Sequence, residues 1–184
     1  MSRLAPVDTS TAEGKTKELL DKVQSKLGRL PNIFKHFAVS PAVLEAYLGL
    51  SEALNNASLS QQIREQIALA IGEENGCDYC LAAHSAIGKM AGLDAEAIQL
   101  SRQATAKEPK VAAILQFALK VVKDRAEVSD ADVQTLKEAG VSDAEIAEII
   151  TAITLNLFTN YFNHIVDPEI DFPKAQPIAA STSS

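Results

Sequence analysis

The chain has 184 residues, 47% of them apolar, and a formal charge of −7, enough length and apolar content for a substantial core in one domain. With no Lys/Arg-rich block it lacks a phosphate-backbone footprint, which sets nucleic acid aside as a partner. Met1-Ser2-Arg3-Leu4-Ala5-Pro6 lacks an apolar stretch of signal-peptide length and no later run of about 18 residues is free of polar breaks, so we expect no membrane segment and a cytoplasmic protein.

In chain order the pattern is helical almost throughout. Asp8 to Leu27 carries Leu19, Leu20, Val23 and Leu27 at three-to-four spacing and stops at Gly28. Leu30 to Phe37 reads as a short helical connection with Pro31 in its first turn. Pro41 opens a helix through Val43, Leu44, Tyr47, Leu48 and Leu50 that ends near Asn55-Asn56. Ser58 or Ser60 caps the next, which runs through Ile63, Ile67, Ala70 and Ile71 to a stop at Asn75-Gly76; a further helix reaches about Gly92. Asp94 caps a helix to about Ala104, and Pro109 begins another through Ile114, Phe117, Leu119, Val121 and Val122. Ser129 to Asp132 caps a short helix ending at Gly140. Ser142-Asp143-Ala144-Glu145 has the form of a capping box before the longest apolar helix, Ile146 to about Ile165, whose apolar run is core or subunit interface. The core is expected at about 8–166, followed by an irregular tail over about 167–184 that is mobile from Ala179 to Ser184. No segment sustains period-two alternation, so the expected class is all-α.

Both cysteines lie in Gly76-Cys77-Asp78-Tyr79-Cys80-Leu81-Ala82-Ala83-His84. On a helix, positions 77, 80 and 84 share a stripe roughly 60° wide, and the two cysteine Cα atoms stand about 5 Å apart, where a disulfide closes with little backbone movement. Cys77 follows the Asn75-Gly76 stop, so it belongs at the start of a new helix, where the dipole and free amides favour its thiolate. In a reducing cytosol such a pair is catalytic, redox-sensing or metal-binding more often than a structural staple.

Glu65 belongs to the preceding helix. A tight turn at Asn75-Gly76 makes the two helices antiparallel neighbours, with Glu65 about 16 Å up one and His84 about 12 Å up the other. A hydrogen bond between them would orient the imidazole to take a proton from a thiol, directly or through one water. The structural alternative pairs Glu65 with Arg64, Lys89 or solvent.

Glu65, Cys77, Cys80 and His84, in the order Glu-x11-Cys-x-x-Cys-x3-His, resemble the AhpD-like alkylhydroperoxidase and carboxymuconolactone decarboxylase family. Arg64-Glu65-Gln66-Ile67-Ala68-Leu69-Ala70, Leu30-Pro31-Asn32-Ile33-Phe34 and Phe158-Thr159-Asn160-Tyr161-Phe162-Asn163-His164 extend the likeness to its peroxidase-related branch. The resemblance implies an AhpD-like helical bundle, a homo-oligomer and a thiol peroxidase or disulfide reductase. Cys80 would attack a hydroperoxide, Cys77 would resolve the sulfenic acid to a disulfide, and Glu65 and His84 would relay protons. A dithiol donor, lipoamide or a thioredoxin-like protein, would restore the thiols. Here the resemblance and the dipole argument disagree about the nucleophile, and His84, four residues from Cys80 and seven from Cys77, sides with Cys80. The chain departs from the AhpD proteins at Tyr79, where they carry a histidine; Tyr79 can donate a hydrogen bond but is no base near neutral pH.

No cofactor and no metal is expected. A zinc site from Cys77, Cys80, His84 and a remote His36 or His164 is a rival, but the usual paired ligand knuckle is absent. Leu81 after Cys80 excludes a haem attachment motif. A decarboxylase-like lyase would need acid-base groups rather than a dithiol, and a non-enzymatic redox sensor would use the same two thiols. Tyr79, His164, Asn160 and Asn163 are candidate pocket residues, His164 with the alternative of capping its helix end. Phe158, Tyr161 and Phe162 are candidate walls, and His36 reads as a satisfied or surface histidine. Leu59-Ser60 and Val141-Ser142 each precede a helix with a glutamate and then a histidine, the pattern of an internal helical repeat; in the second unit Asn160 and Asn163 would stand where cysteines might be.

Overall fold

The computed structural model describes residues 2–178; the tail expected to be mobile, Ala179 to Ser184, lies outside them. Among the described residues nine α-helices follow one another with no strand: α1 (Gly14–Leu27), α2 (Asn32–Phe37), α3 (Pro41–Asn55), α4 (Gln61–Glu74), α5 (Asp78–Met90), α6 (Ala95–Arg102), α7 (Pro109–Lys123), α8 (Asp130–Glu138) and α9 (Asp143–Val166). None of them is long and apolar enough to cross a membrane.

The caps follow local chemistry. Ser60, not Ser58, caps α4 through the Ile63 amide at 3.2 Å, because Ser58 is taken by Glu148 of α9, which accepts from its amide at 2.9 Å and its hydroxyl at 2.7 Å. Ser129 and Ser142 open α8 and α9 with complete capping boxes. The expected start of α1 at Asp8 is corrected: Asp8 accepts from the Ser10 amide at 2.9 Å and hydroxyl at 2.7 Å, a turn that competes with helix, and α1 begins at Gly14. α5 likewise stops at Met90, short of Gly92.

Packing places α4 at the centre, against α5, α6, α7 and α9. Ile67 and Ile71 of α4 meet Ile114 and Leu115 of α7 and Ile149 and Ile153 of α9; each such side chain contributes about 1.5–3 kcal/mol on full burial. A second cluster joins Leu19 and Leu20 of α1, Phe34 and Phe37 of α2 and Leu44 of α3 to Cys77, Tyr79 and Cys80. The cysteine segment is thus held between the α1–α3 layer and α4/α9. Residues 167–178 are irregular yet anchored: Arg102 pairs with Glu73 at 2.7 Å and donates to the Gln176 carbonyl, and Ala175 packs near Leu69 and Leu81.

Candidate active site

Gly76, at φ 63°, ends α4 in the left-handed conformation that favours glycine and turns the chain into α5. Cys77 is the N-cap of α5, its sulfur accepting from the Cys80 amide at 3.4 Å. The two cysteines form a disulfide with Cα atoms 5.3 Å apart, matching the helical spacing. They are 2% and 3% exposed, so nothing reaches them except through the protein's interior. Gly88 lets α5 run close to α4: a Cβ there would come within 3.1 Å of Leu93 and 3.8 Å of the Glu65 Cβ. Across that approach His84 Nδ1 and Glu65 Oε2 are 2.7 Å apart, as the helix count predicted. Of the alternative partners for Glu65, Arg64 instead donates to the Leu59 carbonyl at 2.7 Å and to Asn55 at 2.9 Å. With Nδ1–H donated to the carboxylate, the imidazole carries its free lone pair on Nε2.

Cys80, Glu65 and His84 line one cavity of about 450 Å³, which Cys77 does not line. Its walls are largely apolar, among them Phe34, Leu48, Ile87, Leu155 and Phe172, with Lys22, Lys26 and Arg64 also on its lining. Tyr47 of α3 lines it too; burial, then the Glu65 charge, pushes that phenol up to about 12. Sequence reasoning took Tyr47 as part of an apolar stripe, which gives no hint that its ring faces a cavity.

Of the four candidate pocket residues, Tyr79 and Asn163 line the cavity; Asn160 and His164 do not. Asn160 lies fully buried behind the sulfur, donating to Cys80 Sγ at 3.1 Å, while Asn163 donates to the same atom at 3.2 Å and stands 3.9 Å from Cys77 Sγ. The two asparagines of α9 therefore face the cysteines of α5. His164 is exposed and donates from Nε2 to the Asn75 carbonyl at 2.8 Å. Phe158, Tyr161 and Phe162 are corrected as walls: Phe158 and Phe162 pack on Phe37 with ring centroids 5.4 and 4.5 Å away, and Tyr161 is exposed. His36 is neither a surface residue nor fully satisfied, being buried with Nδ1 unpartnered.

Tyr79 points away from the proton pair. Its hydroxyl donates to Asp171 Oδ1 at 2.8 Å and accepts from the Ile33 amide at 3.2 Å, and burial pushes the phenol far above its usual range. Asp171 Oδ2 takes Arg29 at 2.7 Å and the Asn32 amide at 3.0 Å. Asp171 and Arg29 were missed from the sequence, where a lone acid in an irregular tail carries no signal. Among the described residues no cluster of three or more His, Cys, Asp or Glu is arranged to hold a metal ion.

Residues 41–124 match the carboxymuconolactone decarboxylase family. An uncharacterized peroxidase-related protein from Ralstonia eutropha JMP134, an alkylhydroperoxidase AhpD core, has the same fold with a TM-score of 0.82 at 27% identity over 92% of each chain. A peroxidase-related protein from Silicibacter sp. TM1040 follows at 0.79 and 25%, over 92% of this chain and 94% of that one. The debrominase Bmp8, solved with 2,3,4-tribromopyrrole, shares the fold at 0.78 and 21%, over 93% and 94%. No curated protein matches the sequence. The matched segment carries Glu65, Cys77, Cys80 and His84, and in helical architecture and sequence the chain is similar to the AhpD-like proteins of the carboxymuconolactone decarboxylase family.

Proposed function

We propose that the chain is a thiol-dependent peroxidase acting on hydroperoxides. The observation that carries this is the Glu65–His84 pair, 2.7 Å apart, on the wall of the cavity that also reaches Cys80. In the reduced protein His84 takes the Cys80 proton. The Cys80 thiolate attacks the terminal peroxide oxygen; the S–O bond forms, the O–O bond breaks, and the alkoxide leaves as an alcohol with the proton returned by His84. Cys77 then attacks the sulfenic sulfur, forming the disulfide and releasing water. A dithiol donor, lipoamide or a thioredoxin-like protein, gives two electrons and two protons to regenerate both thiols and is itself oxidised to a disulfide. Access through the cavity supports Cys80 over Cys77 as the attacking sulfur, against the dipole argument, because Cys77 is sealed from it.

Self-association is part of the same reading. Val39, Phe158, Tyr161 and Ile165 are exposed apolar side chains, three of them along α9, and such a face fits a second copy of the chain.

The test is peroxide consumption with a dithiol donor. Wild type is expected to turn over and Cys80→Ser to be inactive, while Cys77→Ser should stop after one equivalent. Glu65→Gln should slow turnover by about 10² or more, the usual scale of a positioned acid-base group. Equal turnover by wild type and Cys80→Ser would overturn the proposal, and catalysis surviving loss of both cysteines would point to lyase chemistry.

A further inference from the structure

The disulfide has a polar backing. Two buried primary amides, Asn160 and Asn163, both aim Nδ2 at Cys80 Sγ, at 3.1 and 3.2 Å. A disulfide sulfur is a weak acceptor, and Asn163 Oδ1 has no partner at all, so the oxidised state leaves this polar cluster poorly satisfied. An anionic sulfur in the same place would accept both N–H groups as short, charge-assisted hydrogen bonds. The pocket behind Cys80 is therefore more complementary to the thiolate than to the bond it now holds.

The direction of the Asn160 amide is set by a third residue. Asn75, the C-cap of α4, donates from Nδ2 to Asn160 Oδ1 at 2.8 Å. A primary amide has one acceptor end, so engaging Oδ1 turns Nδ2 toward the sulfur. Asn75 is in turn held to α9 through its own carbonyl, which accepts from His164. We propose that Asn160 and Asn163 form an amide cradle for the Cys80 thiolate, and that Asn75 is the positioning residue that makes Asn160 a donor. This rests on the reading that Cys80 reacts as a thiolate. The cradle explains why Cys80 outcompetes the N-cap cysteine: the Cys77 sulfur has only the Cys80 amide at 3.4 Å and Asn163 at 3.9 Å. The ionisable groups sharing the cavity with Cys80 are Lys22, Lys26, Arg29, Glu52, Arg64, Glu65, His84, Tyr47 and Tyr79, while the α9 residues touching its sulfur are neutral amides.

The readout is the pH dependence of Cys80 alkylation by iodoacetamide in the reduced full-length chain, in a Cys77→Ser background. Asn75 is partly exposed, and Asn75→Ala keeps the carbonyl that holds His164. Losing one charge-assisted donor should raise the Cys80 pKa by about 1. Asn75→Asp should raise it further: a carboxylate only accepts, so Asn160 must turn Nδ2 toward it and present Oδ1 to the sulfur. Asn163→Ala, which removes the second donor directly, should match Asn75→Ala. If Cys80 ionises at the same pH in wild type, Asn75→Ala and Asn75→Asp while only the melting temperature falls, the amides merely pack and the proposal is overturned. Peroxide turnover separates the two readings, since a protein inactive on peroxide that still shows these shifts would sink the peroxidase reading and keep the cradle.

Discussion

The Tyr79 hydroxyl is engaged as both donor and acceptor, by Asp171 at 2.8 Å and the Ile33 amide at 3.2 Å. That fixes what the residue does between the cysteines: it ties the cysteine turn to α2 and to the C-terminal segment and takes no proton, since burial holds its phenol protonated well beyond the usual range. Tyr79→Phe keeps the ring on Phe172, with centroids 5.8 Å apart in the edge-on arrangement, but strands the Ile33 amide and one oxygen of Asp171. Leaving such buried groups unpaired costs about 1–3 kcal/mol, so the urea midpoint of the oxidised protein should fall accordingly. Peroxide turnover in the same variant should fall far less than in Glu65→Gln. A midpoint equal to wild type would show that the two partners find water without cost.

Residues 169–177 form an element that no helix pattern announces. Asp171 binds Arg29 and Asn32, Phe172 lies under the Arg29 guanidinium at 4.4 Å and walls the cavity, and Gln176 is held by Arg102. Asp171→Ala removes the carboxylate contacts to Arg29, Asn32 and Tyr79 together and leaves Arg29 only the backbone carbonyl at that position. Hydrogen exchange at the Asn32 amide, which donates to Asp171 Oδ2, should rise by at least tenfold, with residues of α4 unchanged; a uniform rise would mean global destabilisation instead. The helices were legible because their signals are local: Pro41 and Pro109 at first turns, Ser129 and Ser142 in capping boxes, Gly28 and Gly76 past helix ends. The Glu65–His84 pair was legible for the same reason, because one tight turn and two helical rises fix it. What stayed hidden joins residues far apart in the chain, such as Asp171 with Arg29 or Asn160 with Cys80. The dipole argument weighed α5 alone, whereas the amides that reach Cys80 Sγ come from α9.

At the scale of the whole molecule, the perturbed carboxylates share one sign. Hydrogen bonds hold four carboxylates below their ordinary values: Asp8 through the Ser10 hydroxyl, Asp132 through the Ser129 amide, Glu145 through Lys110, and Glu148 through the Ser58 amide. His36 is also held below its ordinary value near 6.5, by burial first and then by Lys35, with the Leu4 carbonyl opposing. In each case the unfolded chain binds the proton more readily than the fold, so stability rises with pH across the interval between the two values. The His36 contribution is complete above pH 6.5 and declines as pH falls below it; the carboxylate contributions are complete above about 4.5 and decline below. Most ion pairs here, such as Lys17–Asp21 and Lys107–Glu96, are exposed on both sides and add little slope of their own. The urea midpoint should therefore fall slightly from pH 7 to 5.5 and steeply below 4.5. His36→Leu should flatten the first interval alone. Glu148→Gln should flatten part of the second while lowering the midpoint at pH 7, because the loop at Ser58–Leu59 loses a charged acceptor. A wild-type midpoint constant between pH 7 and 5.5 would show that His36 takes its proton inside the fold as readily as outside it, and that its buried Nδ1 is reached by water.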